Sequence, residues 1–276
     1  MSDALTFPLL TRRRVTGLAF GAMRSRSRGG GIDLAGARPY RPGDDVRRID
    51  WRASARLSSA RGSDDFLLRE HLAEEATRVV VVVDRSPTMT LYPPELPWLC
   101  KPAAVVEASA MIRESALQAG CTTGDIHAGG AHDPLAASLV SLVRDERTLL
   151  PGTFVFLLSD FLVFPAEDVW QDALDRGFDL VPVIIQDPLW EQSFPEVGGT
   201  VLSLTDPATG RLRHVRFSRA QARARREENR SRLLDILRRF DLLGFDSALV
   251  SSHDRGRILE SFLDWAAVRS RGARLA

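Results

Sequence analysis

Cysteine is scarce in this chain of 276 residues, with only Cys100 and Cys121 present. Two cysteines make no disulfide framework, and neither has a neighbour at metal-ligand spacing, so both read as small buried hydrophobes in a reducing compartment. Long hydrophobic runs are lacking too. The longest, near Val79 to Val83 and Phe154 to Val163, fall far short of the ~20 residues a membrane helix needs. The Arg12–Arg14 run stands where a signal peptide would keep a clean apolar stretch. The reading is therefore a soluble, cytoplasmic protein. An excess of one charge is likewise missing: 37 Lys and Arg against 36 Asp and Glu leave a net charge of +1, which gives no general attraction to nucleic acid or membrane. No Walker loop and no GxSxG elbow occurs, which argues against P-loop nucleotide hydrolysis and serine-hydrolase chemistry.

What is present is ordinary globular composition, 44% hydrophobic and 26% charged, in a chain long enough to bury a sizeable core. Residues 1–35 are rich in Arg, Gly and Ser, with RSRSRGGG at 24–31, and read as a flexible basic arm. Such an arm raises nucleic-acid binding as an alternative function, although no stacking aromatics interleave the arginines. Residues 36–76 form a second segment, and Phe66 to Thr77 is helix or extended chain leading into the first strong strand. That strand, Arg78 to Val83, is an unbroken valine run suited to a parallel strand buried on both faces. Apolar residues at helical spacing follow from Lys101 to Gln118. Helices are also expected near 134–144, 166–176, 219–240 and 257–268. Strands are expected at 153–159, 179–186 and 245–251. Residues 200–217 break the rhythm and read as a β-hairpin turning at Asp206 to Gly210. Alternating strands and helices over 77–270 predict an α/β fold with a mostly parallel sheet.

Two of the buried-type strands end in aspartate, at Asp84 and Asp160. In an open α/β sheet, ligands bind beyond the carboxyl ends of the strands where the strand order reverses. Neighbouring strands lie ~4.8 Å apart, so the two carboxylates would repel unless one is protonated or a cation sits between them. Ser86 and Thr88 add hydroxyls beside Asp84, and oxygen donors of this kind suit Mg²⁺ or Mn²⁺. The plainer reading makes the same residues helix N-caps. His132 and His253 read as loop residues rather than ligands.

The segment from Arg38 to Arg56, RPYRPGDDVRRIDWRASAR, concentrates a Pro42-Gly43 turn, three aspartates, a tryptophan and six arginines. Proline presets φ and glycine accepts φ > 0, as a type II turn requires. Asp44, Asp45 and Asp50 lie within reach of Arg41, Arg47, Arg48 and Arg52. Either the cluster neutralises itself and pins a loop, or it is a preorganised recognition surface.

These residues resemble the signature of the domain-of-unknown-function 58 family, a bacterial group with a von Willebrand factor A-like domain. Its YxPGDDxRxIDW…SAR pattern is met by Tyr40, Pro42, Gly43, Asp44, Asp45, Arg47, Ile49, Asp50, Trp51 and Ser54 to Arg56. The later VDRSPT and LLSDF segments follow in the family's order. The resemblance implies a Rossmann-like sheet flanked by helices, with an N-terminal extension. It implies a metal-ion-dependent adhesion site in which Asp84, Ser86, Thr88 and Asp160 hold Mg²⁺ or Mn²⁺. It also implies a non-enzymatic interaction protein, an adaptor or co-chaperone of a MoxR-type AAA+ ATPase. Two departures stand out. DxSxT replaces the family's DxSxS, and the segment after Gly124-Asp125 looks deleted. His132-Asp133-Pro134-Leu135 falls where a loop threonine belongs, and Thr122 and Thr123 are the nearest substitutes. The deletion predicts a sheet truncated at one edge, with the Val79 strand more exposed. VVVVVDRSPT also resembles the first motif of haloacid dehalogenase-type phosphatases, with Asp84 as nucleophile, but Ser86 stands where their general acid is expected.

Overall fold

The computed structural model describes residues 5–10, 34–39, 49–52, 54–56, 66–71, 78–90, 99–125, 135–144, 149, 151–206 and 209–275. The chain divides into two units, Arg13–Thr77 and a larger one of Met1–Arg12 with Arg78–Ala276. In the smaller unit β1 (Leu34–Pro39) pairs antiparallel with β2 (Leu67–His71). Leu67–His71, within the stretch expected as helix or extended chain, is thus extended, and residues 72–77 lie outside the described residues.

The larger unit is built on five parallel strands: β3 (Arg78–Val83), β4 (Thr122–Asp125), β5 (Phe154–Ser159), β6 (Asp179–Ile185) and β9 (Ala248–Val250), in the order β4-β3-β5-β6-β9. Valine, isoleucine and phenylalanine dominate the three central strands because β-branched and aromatic side chains pack well on a doubly covered sheet. Every residue of β5 is buried. The β-hairpin of β7 (Val201–Thr205) and β8 (Leu212–Arg216) forms a separate antiparallel pair, where the turn residues place it. Gly210 at φ 66° closes that turn, its N–H donating to Asp206 O at 2.8 Å.

Among the described residues, five helices belong to this unit: α1 (Lys101–Gln118), α2 (Leu135–Arg144), α3 (Glu167–Asp175), α4 (Arg219–Leu243) and α5 (Arg255–Leu275). Strand alternation divides their contacts. Val80, Val82, Val155 and Leu157 meet Leu139 of α2, Trp170 of α3 and Phe240 of α4 in one core. Phe156, on the other face of β5, meets Phe262 and Trp265 of α5, which packs with α1. α4 starts in a capping box, Ser218 with Gln221, and stops at Gly244, whose φ of 77° is left-handed.

Two expectations change. The Val79 strand is not an exposed edge, because β4 pairs with it and Val79 to Val82 are all buried. β4 is described over Thr122–Asp125. Gly124 there makes room for Arg78, since a Cβ at that position would lie 2.9 Å from Arg78 Nη2. Residues 5–10 also leave the expected basic arm. Phe7 and Leu9 are buried, and Phe7 stacks on Phe262 with ring centroids 4.4 Å apart. Phe7 N donates to Ser115 Oγ at 3.1 Å, tying this segment to α1. Phe7→Ala should therefore lower unfolding free energy by about 3–5 kcal/mol in urea denaturation, as for other buried aromatics. An unattached arm would show no change.

Candidate functional site at the strand ends

The order β4-β3-β5 places strands successive to β3 on its two opposite sides, so the switch point lies between β3 and β5. Their register pairs Val83 with Leu158, and Asp84 N donates to Leu158 O at 2.8 Å. Asp84 and Asp160 thus end neighbouring strands at the switch point, as the sequence pattern predicts.

They do not share a partner. Asp84, 6% exposed, sits level with Ser159, whose hydroxyl donates to Asp84 Oδ2 at 2.6 Å. Asp84 Oδ1 accepts from Ser86 N at 2.8 Å, folding the loop back on the strand end. The Ser86 and Thr88 hydroxyls lie 3.1 Å apart within hydrogen-bond reach of each other, beside a 3₁₀ turn (Pro87–Thr90) anchored by buried Met89. Asp160 is 1% exposed, and its Oδ1 accepts from Leu162 N at 3.0 Å. Its Oδ2 takes the ammonium of Lys101 at 2.9 Å.

Lys101 is the centre of this end of the sheet. It is 0% exposed, and Nζ also donates to Glu191 Oε1 at 2.6 Å and to Thr88 O at 3.2 Å. The loop after β6 is fastened beside it. Glu191 Oε2 accepts from Asp187 N at 2.8 Å, while the Asp187 carboxylate accepts from Leu189 N, Trp190 N and Leu99 N, each at 2.8 Å. Gln186 Nε2 donates to Asp160 O at 2.6 Å. His253 Nδ1 accepts from Cys100 N at 3.3 Å, so this histidine caps the backbone ahead of α1 as a satisfied loop residue.

A divalent ion does not suit this donor set. Each oxygen of Asp84 and Asp160 already accepts a hydrogen bond from the protein. An ion bound directly to Asp160 Oδ2 at ~2.1 Å would lie no more than about 5 Å from the ammonium, a repulsion of about 7 kcal/mol at an effective dielectric of 20. Thr122 and Thr123 offer no replacement for the missing loop threonine. They pair with Arg78 and Val79 at the opposite end of β3, about 16 Å along the strand from Asp84. Among the described residues, no group of three or more His, Cys, Asp or Glu side chains is arranged to hold a metal.

Of the signature residues, Ile49, Asp50, Trp51, Ser54, Ala55 and Arg56 can be placed, with Ile49 buried. Asp50 N donates to Leu67 O at 2.8 Å, Ser54 Oγ donates to Asp50 O at 2.7 Å, and Leu67 N donates to Ser54 Oγ at 2.8 Å. This clip presents Trp51 outward, 63% exposed, with Phe66 set edge-on at 5.8 Å. Tyr40, Pro42, Gly43, Asp44, Asp45, Arg47 and His132 lie outside the described residues. Cys100 and Cys121 are free and buried, and burial pushes the Cys121 thiol up.

Sequence reasoning misses Lys101, Asp187 and Glu191, although two signals point toward them. Lys101 is the sole lysine of a chain whose other 36 basic residues of the Lys and Arg class are all arginine. The strand VPVIIQ also runs into Asp187, a third strand-end aspartate.

Residues 36–136 match the model of the family described as Protein of unknown function DUF58. The match spans the signature, β3, the DxSxT loop, α1 and β4. No curated protein matches the chain. Among solved structures, the crystal structure of conserved hypothetical protein BatB from Bacteroides thetaiotaomicron is similar at 10% identity over 71% of this chain and 100% of that one. Its TM-score of 0.32 is too low to carry an argument. No helix among the described residues is long and apolar enough to cross a membrane.

The buried triad has a pH signature. Burial pushes the Glu191 carboxyl above the usual glutamate range and Asp160 adds to the rise, against the pull of Lys101 and the Asp187 N–H. The folded chain therefore holds this proton more tightly than the unfolded chain does. The stability linked to it is complete below the ordinary glutamate pKa of about 4.3 and falls as pH rises through the raised value. Glu191→Gln, which cannot titrate, should flatten that part of the stability-against-pH profile in urea denaturation. An unchanged slope would show that Glu191 titrates normally.

Proposed function

We propose that the chain is a non-enzymatic protein-interaction module, an adaptor or co-chaperone of a MoxR-type AAA+ ATPase, that docks through the signature segment around Trp51. The observation that carries this reading is the exposure of Trp51 at 63% beside Phe66 at 43%. An exposed aromatic pair held by a backbone clip offers a partner apolar area that is already ordered. Exposed Arg52 and Arg56 flank Trp51, and Trp and Arg are the side chains that most often anchor protein interfaces. The class of partner comes from the resemblance to the family whose model matches residues 36–136. The non-enzymatic reading is supported by the carboxylates of the strand ends, which are engaged with protein donors rather than held ready for a substrate.

Surface plasmon resonance between the full chain and a purified MoxR-type ATPase tests this. Trp51→Ala should weaken binding by about thirtyfold, the effect of an interface anchor of roughly 2 kcal/mol, while thermal stability stays close to wild type. Equal binding by Trp51→Ala would remove the docking surface from the proposal. Failure of wild type to bind would remove the partner.

A further inference from the structure

We infer that the Lys101 ammonium is the built-in cation of the strand-end crevice, occupying the role that a divalent metal plays in adhesion-type sites, so that this crevice takes up neither Mg²⁺ nor Mn²⁺. Four observations converge. The ammonium is fully buried and bridges Asp160 and Glu191 at 2.9 and 2.6 Å. It joins two of the parts a metal would join, the DxSxT loop through Thr88 O at 3.2 Å and the end of β5 through Asp160, and it adds the loop after β6 through Glu191. It stands at the first residue of α1, where the helix dipole disfavours a positive charge, so helix formation does not account for it. Lastly, arginine fills every other Lys or Arg position in the chain. A guanidinium is planar and presents a wide fork, whereas an ammonium is a compact point charge with three donors. Only the latter can stand in for a small ion among converging oxygens.

The inference does not depend on the partner's identity, and its test uses the purified full chain and Mn²⁺ as the probe. Electron paramagnetic resonance of free Mn²⁺ should show no uptake by wild type, and wild type should melt at the same temperature in EDTA and in excess Mg²⁺. Lys101→Ala, which opens a charge hole beside Asp160 and Glu191, should bind Mn²⁺ at least about tenfold more tightly than wild type and gain thermal stability from it. Lys101→Met, which keeps side-chain length without charge, provides a second neutral variant should the alanine form not fold. Stoichiometric Mn²⁺ uptake by wild type, lost in Asp84→Asn, would overturn the inference. So would a folded neutral variant that leaves all Mn²⁺ free. The wild-type arm decides the matter even where neither variant folds.

Discussion

The buried ion cluster of Lys101, Asp160 and Glu191 is the constraint around which the working end of this sheet is arranged. An ammonium and two carboxylates withdrawn from water are costly, and removing one partner of such a set typically costs about 3–5 kcal/mol because the remaining charges are left uncompensated. The cluster therefore permits few arrangements of the elements that supply it. α1 must begin where its first side chain reaches Asp160, and the loop after β6 must bring Glu191 back over the strand ends. The backbone bonds around it follow this demand. Asp187 holds Leu99 N, His253 holds Cys100 N, and Gln186 holds Asp160 O, so the start of α1 is tied to two loops and a strand end.

The same cluster bears on how the two strand-end carboxylates are met. The motif supplies carboxylates and hydroxyls that need positive charge. Here β5 alternation turns its last residues to different sides, so that Ser159 serves Asp84 while Asp160 meets α1. Each carboxylate has its own protein donors. Burial is the main cause of the upward push on Glu191, with Asp160 adding to it, while Arg232 brings a second positive charge near the two carboxylates.

Much of the architecture is legible in the sequence because it rests on local signals. The valine run of β3, the five apolar residues of β5 and the helical spacing of α1 each identify an element without knowledge of the others. The hairpin is equally plain from Asp206 and Gly210. The strand-end aspartates stand out for the same reason, since each follows a buried run directly. What escapes depends on long-range partners. Lys101 pairs with a residue 59 positions away and another 90 positions away, and nothing in its own neighbourhood announces that. The burial of Phe7 is hidden in the same manner: a short apolar stretch beside an arginine run looks like an arm until Phe262, far along the chain, provides its stacking partner. β4 is easily misjudged because four residues are too few to show a period.

A metal in an adhesion-type crevice is exchangeable, so it can bring a partner's acidic group into its coordination shell and release it. An ammonium on a buried lysine cannot be exchanged, and its donors are directed at oxygens of its own chain. A chain built this way gains a strand end that stays fixed in the absence of any ion, at the cost of the open coordination position. Under the proposed docking role, recognition falls to exposed surface. Of the residues that the family signature singles out and the structure places, Trp51 meets that condition most clearly, because Asp50 and Ser54 use their polar groups to hold the clip and leave its indole to solvent. The charged residues of the crevice and the aromatic residue of the signature are thus complementary solutions, one closing a site inward and the other keeping a surface open.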